Sequence, residues 1–237
     1  MVSNIKDEFS NGLRDGIPIC LGYVSVAFTF GLMCTENGLP FWIAVLISLT
    51  NLTSAGQFAG TALIIARGGL LEIGITTFVI NLRYMLMSLS ISQKVDAKLS
   101  VPKRMAMSFG VTDEIFGVSM QKKGNITFAY FMGLMMLPIL GWSGGTLVGA
   151  VAVSLLPDMV RSALGIAIYG MFLAIIIPPA RKNRVIAGVV AVSMVTSWAM
   201  AFLPLFSEGM RVILLTVVIS AVAAVLFPVA EEKEANA

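Results

Sequence analysis

The stretch Leu70–Ser92, LLEIGITTFVINLRYMLMSLSIS, decides how the rest of the chain is read. It is long enough to cross a bilayer, for which a helix needs about 20 apolar residues, yet it carries Arg83 well inside both ends. A guanidinium does not lose its proton, so placing one at membrane depth costs free energy unless a partner, a cavity or a substrate answers it. Snorkelling to an interface is the bland alternative, and the position of Arg83 favours an internal role. The candidates for the opposite charge are Asp113 and Glu114, adjacent carboxylates in another mostly apolar segment. The reading is a polytopic membrane protein with a small polar site at membrane depth.

Composition agrees. Of 237 residues only 12% are charged, where soluble domains carry about 25%. The 22 glycines and 15 methionines suit a helical membrane bundle, in which small residues let backbones approach. Lysines and arginines fall in short loops between apolar runs, as topology signals do, and form no clustered basic face for nucleic acid. There is no histidine, which excludes His-ligated zinc, His-ligated haem and any Ser–His or Cys–His pair. No cofactor or metal is expected, and the chain is read as a non-enzyme, with an aspartyl mechanism the one enzymatic route left open. Cys20 and Cys34 lie 14 residues apart in one expected helix, roughly 21 Å, too far for a disulfide. Met1–Gly16 lacks the apolar core of a cleaved signal peptide, so the first apolar segment is expected to remain as a helix.

Apolar runs long enough to span, or nearly so, occur at 17–34, 41–66, 70–92, 162–179, 185–204 and 209–229. Two shorter runs, 126–140 and 144–157, flank Gly141-Trp142-Ser143-Gly144-Gly145 and read as a tight hairpin of short helices or as re-entrant structure. Nothing alternates apolar and polar residues as a membrane β-barrel strand must. The expected fold is all-α: a polytopic helical membrane protein of seven to nine helical segments, some broken or re-entrant. It forms one transporter domain over residues 1–237, with a polar segment 1–16 and a charged tail 230–237. The basic loops Lys94, Lys98, Lys103, Arg104 and Arg181, Lys182, Arg184 should face the cytoplasm. Simple counting then puts the N-terminus outside and leaves Lys122 and Lys123 on the wrong side. If 41–66 doubles back, the N-terminus moves inside. No internal sequence repeat is visible.

Polar side chains within the apolar runs are the candidates for chemistry. Thr50, Ser54, Gln57 and Thr61 follow i, i+4, i+7, i+11 spacing, one face of a helix, and with Asn51 could line a substrate path. Interhelical hydrogen bonds, or hydroxyls bonded to their own i−4 carbonyls, are the structural alternative. Asn81 and Tyr84 share a face, and Arg83 points about 160° from Asn81 on an ideal helix. Thr112 or Asp113 could cap a short helix, with the carboxylates at its positive end. The functional reading makes Asp113 or Glu114 a counter-ion for Arg83, an ammonium site or a proton carrier. Gly141, Gly145 and Gly149 form a small-residue packing stripe. Pro18, Gly22 and Tyr23 point to a kink or local unwinding in the first helix. Asp158 with Arg161 reads as an interfacial cap and ion pair.

Taken together, the residues resemble those of the AzlC family of branched-chain amino-acid permeases, the large subunit of a two-component exporter. The matching pieces are Pro18 with Gly22-Tyr23, Ala27-Phe28, Phe30-Gly31, Gln57-Phe58 and Asn81-Leu82-Arg83-Tyr84. They continue in family order with Thr112-Asp113-Glu114-Ile115-Phe116, Gly141-Trp142, Gly145-Thr146 and Pro157-Asp158. The chain departs from the family pattern at Ser25 and at Leu52-Thr53-Ser54. The resemblance implies amino-acid export across a bacterial inner membrane, together with a small AzlD-like membrane subunit.

A branched-chain amino acid is a zwitterion with an apolar side chain, and its site needs an anion-binding element, a cation-binding element and a greasy pocket. Arg83, or a broken-helix N-terminus near Ser54–Gln57, would receive the carboxylate. Asp113 or Glu114 would receive the ammonium or carry a coupling proton. Tyr23, Asn51, Gln57, Asn81 and Tyr84 would supply neutral hydrogen bonds. A channel or transporter for another small solute, and a scaffold active only with its partner, are the competing classes.

Overall fold

The computed structural model describes residues 4–153, 155–157, 159, 173, 176–202 and 208–227. It is a helical membrane protein, and the described residues include no strand. The helices are α1 (Ile5–Glu36), α2 (Phe41–Thr50), α3 (Ala55–Ile65), α4 (Leu70–Lys94), α5 (Val101–Phe109), α6 (Asp113–Gln121), α7 (Phe128–Ala152), α8 (Arg184–Ala201) and α9 (Glu208–Leu226). Helical residues 176–182 bring the number among the described residues to ten, slightly above the expected seven to nine. Of these helices α1, α4, α7 and α8 are long and apolar enough to cross a membrane. The 162–179 run falls mostly, and Asp158, Arg161 and the 230–237 tail wholly, outside the described residues.

The core is a seam between α1 and α7, which run parallel. Gly12 meets Tyr130, Gly16 meets Leu134, Cys20 meets Gly141, Val24 meets Gly145 and Phe28 meets Gly149, ascending together along both helices. Apolar burial cannot drive helices together in lipid, so association depends on close packing, which small residues permit. At Gly145 an added Cβ would lie 2.6 Å from the Val24 carbonyl oxygen, closer than any side chain can sit. The expectation of a turn at Gly141–Gly145 is therefore corrected: these residues lie inside one continuous helix, and their smallness serves contact with α1. Likewise α1 runs unbroken across Pro18, so the expected unwinding there does not occur. The polar segment before Ile17 is the first part of the same helix, capped by Asn4, whose side chain accepts from the Lys6 N–H at 3.3 Å.

Two hairpins of short helices fill the space beside the seam. From the far end of α1, α2 descends along α7 until Ser48 reaches Thr146, 2.7 Å between hydroxyls. The chain breaks at Asn51–Ser54, and α3 turns back, so that Gln57 returns to Ser48 at 2.7 Å and the Phe58 ring meets Phe30 edge-on. The expected polar face running through Thr50, Ser54, Gln57 and Thr61 is thus cut in two. Thr50 bonds its own Leu46 carbonyl, while Gln57 and Thr61 are buried. Helix α4 then runs antiparallel to α3, with Gly60 beside Thr77 and Gly56 beside Asn81.

At the other end, Lys94 donates to the Met120 and Lys122 carbonyls, and Val95 makes an isolated β-bridge with Ile126. Helix α5 rises from this base, where Lys103 covers the Phe128 ring, to Gly110, which abuts Met135 halfway up α7. The chain breaks again at Gly110–Thr112, and α6 descends to the base. There Glu8 accepts from Lys122 (2.7 Å) and Thr127 (2.9 Å). Tyr130 donates to Asp15 at 2.7 Å, and the Lys122 ammonium sits 3.7 Å over the Tyr130 ring. The two hairpins settle the topology. Lys6, Lys94, Lys98, Lys103, Arg104, Lys122 and Lys123 all gather at the base, which the positive-inside rule places in the cytoplasm. Simple counting put the N-terminus outside because it treated 41–66 as a crossing; the break at Asn51–Ser54 brings the N-terminus and Lys122–Lys123 to the same side.

Candidate functional site

The two breaks meet halfway along α1, α4 and α7, and the ionisable residues of the membrane interior gather there. Arg83, on α4, pairs through Nη2 with Asp113 Oδ2 at 2.8 Å. Asp113 is the first residue of α6, whose N-cap Thr112 accepts from the Ile115 N–H. The capping geometry and the ion pair therefore coexist: the positive end of a short helix and a guanidinium both face one carboxylate. The pair is not sealed. Its side chains are 41% and 39% exposed, so the described protein does not enclose either charge.

Glu114 takes a different partner. Its Oε2 accepts from the Tyr23 hydroxyl at 2.5 Å, and the same phenolic oxygen lies 2.6 Å from Thr112 Oγ1. Helix α1 thereby holds the tip of the α5–α6 hairpin. Across the site, Arg83 donates to the Tyr84 hydroxyl at 3.2 Å, and its guanidinium lies 5.0 Å from the centre of that ring. Tyr84 in turn donates to the Thr53 carbonyl at 3.2 Å, holding the tip of the α2–α3 hairpin. Adjacent residues on α4 thus serve different tips, Arg83 the inner one and Tyr84 the outer one.

The outer break is locally built. Asn51 Oδ1 accepts from the Thr53 N–H at 3.2 Å and its hydroxyl at 2.5 Å, replacing the helical bonds the break removes. Ser54 has φ 44°, a left-handed conformation that costs a non-glycine residue about 1–3 kcal/mol. Its side chain caps nothing at the start of α3. Asn81 packs on Gly56 so closely that a Cβ there would overlap its amide, and Asn81 Oδ1 is buried without a hydrogen-bond partner.

Gln57 is placed away from the opening. It is 1% exposed, donates to Ser48 Oγ and accepts from the Trp142 indole N–H at 2.9 Å. Ser48 contacts Thr146, which donates to the Trp142 carbonyl at 3.0 Å. Every polar atom of the Gln57 amide that meets protein is used in clasping α2, α3 and α7 together. Trp142 also stacks edge-on against Tyr23, ring centres 5.2 Å apart. Of the residues singled out from sequence, Arg83, Tyr84, Asp113, Glu114 and Tyr23 form one connected group, and Asn51 and Ser54 shape the break beside it. Ser48, Thr53, Thr112 and Thr146 complete the network. Single hydroxyls in apolar runs usually bond their own helix, so only the cluster of polar residues at 50–57 marked the place.

The fold and this polar interior define a helical membrane protein with an ion-paired site at a junction of broken helices. The sequence profile of the AzlC protein family matches residues 18–156, and the chain belongs to that family. An uncharacterized membrane protein of Archaeoglobus fulgidus is 37% identical over 183 residues, 76% of this chain and 80% of the relative. The inner membrane protein YgaZ of Escherichia coli is 27% identical over 183 residues, 74% of this chain and 75% of the relative. A Helicobacter pylori membrane protein is 26% identical over 151 residues, covering 60% and 65%. No solved structure matches. The chain is a membrane protein with a transport-related role.

Proposed function

We propose that the chain is the large subunit of a secondary exporter of branched-chain amino acids. The observation that carries this reading is the half-exposed Arg83–Asp113 pair at the meeting point of two helix breaks. A zwitterion is the class of solute that can replace both members of an ion pair at once. Its carboxylate takes Arg83 as its ammonium takes Asp113, and neither charge is left alone. A solute carrying one charge would free one protein partner and strand the other. Arg83 is suited to the anion because its planar fork matches a carboxylate. Glu114, held by Tyr23, is the candidate coupling-proton carrier. Asn51, Ser54 and Gln57 act by building and clasping the outer hairpin beside the bound solute.

The protein works in a bacterial inner membrane with a small AzlD-like membrane subunit. The test is efflux of labelled valine, leucine, isoleucine and methionine from preloaded cells, for wild type and Arg83→Gln at matched membrane levels, with and without that subunit. Efflux from wild type and background efflux from Arg83→Gln is the expected result. Equal efflux from both would remove Arg83 from the site. Failure of wild type even with the subunit would turn the reading toward another small organic solute.

A further inference from the structure

The first half of the chain is built twice. A long helix, a short connection, and a pair of short helices separated by a break occur in residues 5–65 and again in residues 70–121. A constant shift of 58 residues carries the end of α1 at Glu36 onto the end of α4 at Lys94, and the N-cap Ser54 onto the N-cap Thr112. It carries the start of α3 at Ala55 onto the start of α6 at Asp113. The contacts follow the same shift. Tyr23 reaches Glu114 in the first turn of α6, and its counterpart Asn81 reaches Gly56, the counterpart of Glu114, in the first turn of α3. Thr61 and its counterpart Ser119 are both buried hydroxyls. Apart from Phe58 and Phe116 the sequences at the breaks are unlike, SAGQF against TDEIF, which hides the relation from sequence comparison.

The two units run in opposite directions. Helix α1 ascends from the base and its hairpin enters from the far end, whereas α4 descends and its hairpin enters from the base. We propose that residues 5–65 and 70–121 are inverted-topology repeats, and that their hairpins are separate gates on the Arg83–Asp113 site, α2–α3 on the outer side and α5–α6 on the cytoplasmic side. Inverted repeats place binding sites at their interface, and rocking one against the other exposes the site to each side in turn. Each gate has its own latch, contributed by the long helix of the other unit. Tyr84 on α4 holds the outer tip through the Thr53 carbonyl, and Tyr23 on α1 holds the inner tip through Thr112 and Glu114. Trp142 joins them, touching Tyr23 on one side and Gln57 of the outer hairpin on the other. A cavity of about 270 Å³ between α4 and α5, with Arg104 and Val111 among its lining residues, lies where the inner hairpin would part from α4.

The gating role rests on the transport reading, so the test uses no substrate. In a chain with Cys20→Ala and Cys34→Ala, single cysteines are labelled with a membrane-impermeant thiol reagent, from outside on intact cells and from inside on inverted vesicles. The exposed positions Asn37→Cys and Gly69→Cys should react from outside only, and Lys98→Cys and Lys123→Cys from inside only. Asn37→Cys and Gly69→Cys reacting on opposite faces would overturn the repeat, because α2–α3 would then cross the membrane. For the latches, Val111→Cys and Leu52→Cys report on the two buried tips. Tyr23→Phe, which removes a bond to a carboxylate, should speed labelling of Val111→Cys from inside about tenfold. Tyr84→Phe, which removes the neutral bond to the Thr53 carbonyl together with the bond from Arg83, should speed labelling of Leu52→Cys from outside about fivefold. Unchanged rates in both pairs, or acceleration of both from the same face, would overturn the assignment of two gates. If labelling behaves as stated and no amino acid is transported, the repeat stands and the substrate reading falls.

Discussion

The α1–α7 seam and the junction of the two breaks lie side by side at the same depth, and they are built on opposite rules. Along the seam, glycine faces backbone at interval after interval, the carboxylates Glu8 and Asp15 stay at its base end, and the two helices are continuous through a proline each. At the junction the helices stop, a serine takes a left-handed conformation, an asparagine oxygen lacks a partner, and an ion pair stays half open. The seam is satisfied by its own contacts and has one way to pack. The junction is held by a few hydrogen bonds to two hairpin tips and has polar capacity left over. That difference separates the part of the molecule that provides stability from the part that can exchange partners with a solute.

Substitutions can sharpen or break this contrast. The largest effect is expected at the seam. Gly145→Leu places a side chain where the Val24 carbonyl already stands, and most folded protein should be lost, seen as disappearance of the monodisperse peak after detergent extraction. Arg83→Gln should do the reverse, bringing efflux to background while the protein still extracts as a monodisperse species, since the pair it breaks is half exposed and holds no packed seam together. A seam-like collapse in Arg83→Gln would show that the pair is structural. Gln57→Leu should fall between them. It leaves the buried Trp142 N–H without a partner, a loss of about 1–3 kcal/mol, while Ser48 keeps its bond to Thr146, and the loss is read as a lowered thermal midpoint. The smallest effect is at Ser54. Ser54→Gly should raise stability by about 1 kcal/mol by relieving the φ of 44°, and a lowered midpoint would mean the serine side chain matters more than its backbone.

How much of this was legible in the sequence follows the same division. Class was plain, because apolar runs of spanning length with few charges permit little else, and Leu70–Ser92 and 185–204 correspond closely to α4 and α8. Asp113 and Glu114 stood out as candidate counter-ions for Arg83 because they lie together in another mostly apolar segment, and the geometry chooses Asp113 over Glu114. Continuity was not legible. Glycine marks both turns and close helix contacts, and at Gly141–Gly145 only the packing of α1 decides between them. Length has a similar ambiguity: 41–66 is long enough for one tilted span or for two short helices that return. The polar cluster at 50–57 marked the break, but which way the chain left it depended on contacts from Phe30, Tyr84 and Trp142, far away in sequence. The repeat escaped notice because it is conserved in geometry and hardly at all in residue type.

The central claim, that Arg83 and Asp113 exchange their mutual bond for the two ends of a zwitterion, is tested most directly by binding to the purified protein with its small subunit. Displacement of labelled leucine would be compared for leucine, for leucinamide, which lacks the carboxylate, and for 4-methylpentanoate, which lacks the ammonium. Each truncated compound should bind at least about tenfold more weakly than leucine, the loss expected when one charged hydrogen-bond partner is missing. If leucinamide or 4-methylpentanoate displaces the label as well as leucine does, the ion pair is not the recognition element and the account is wrong.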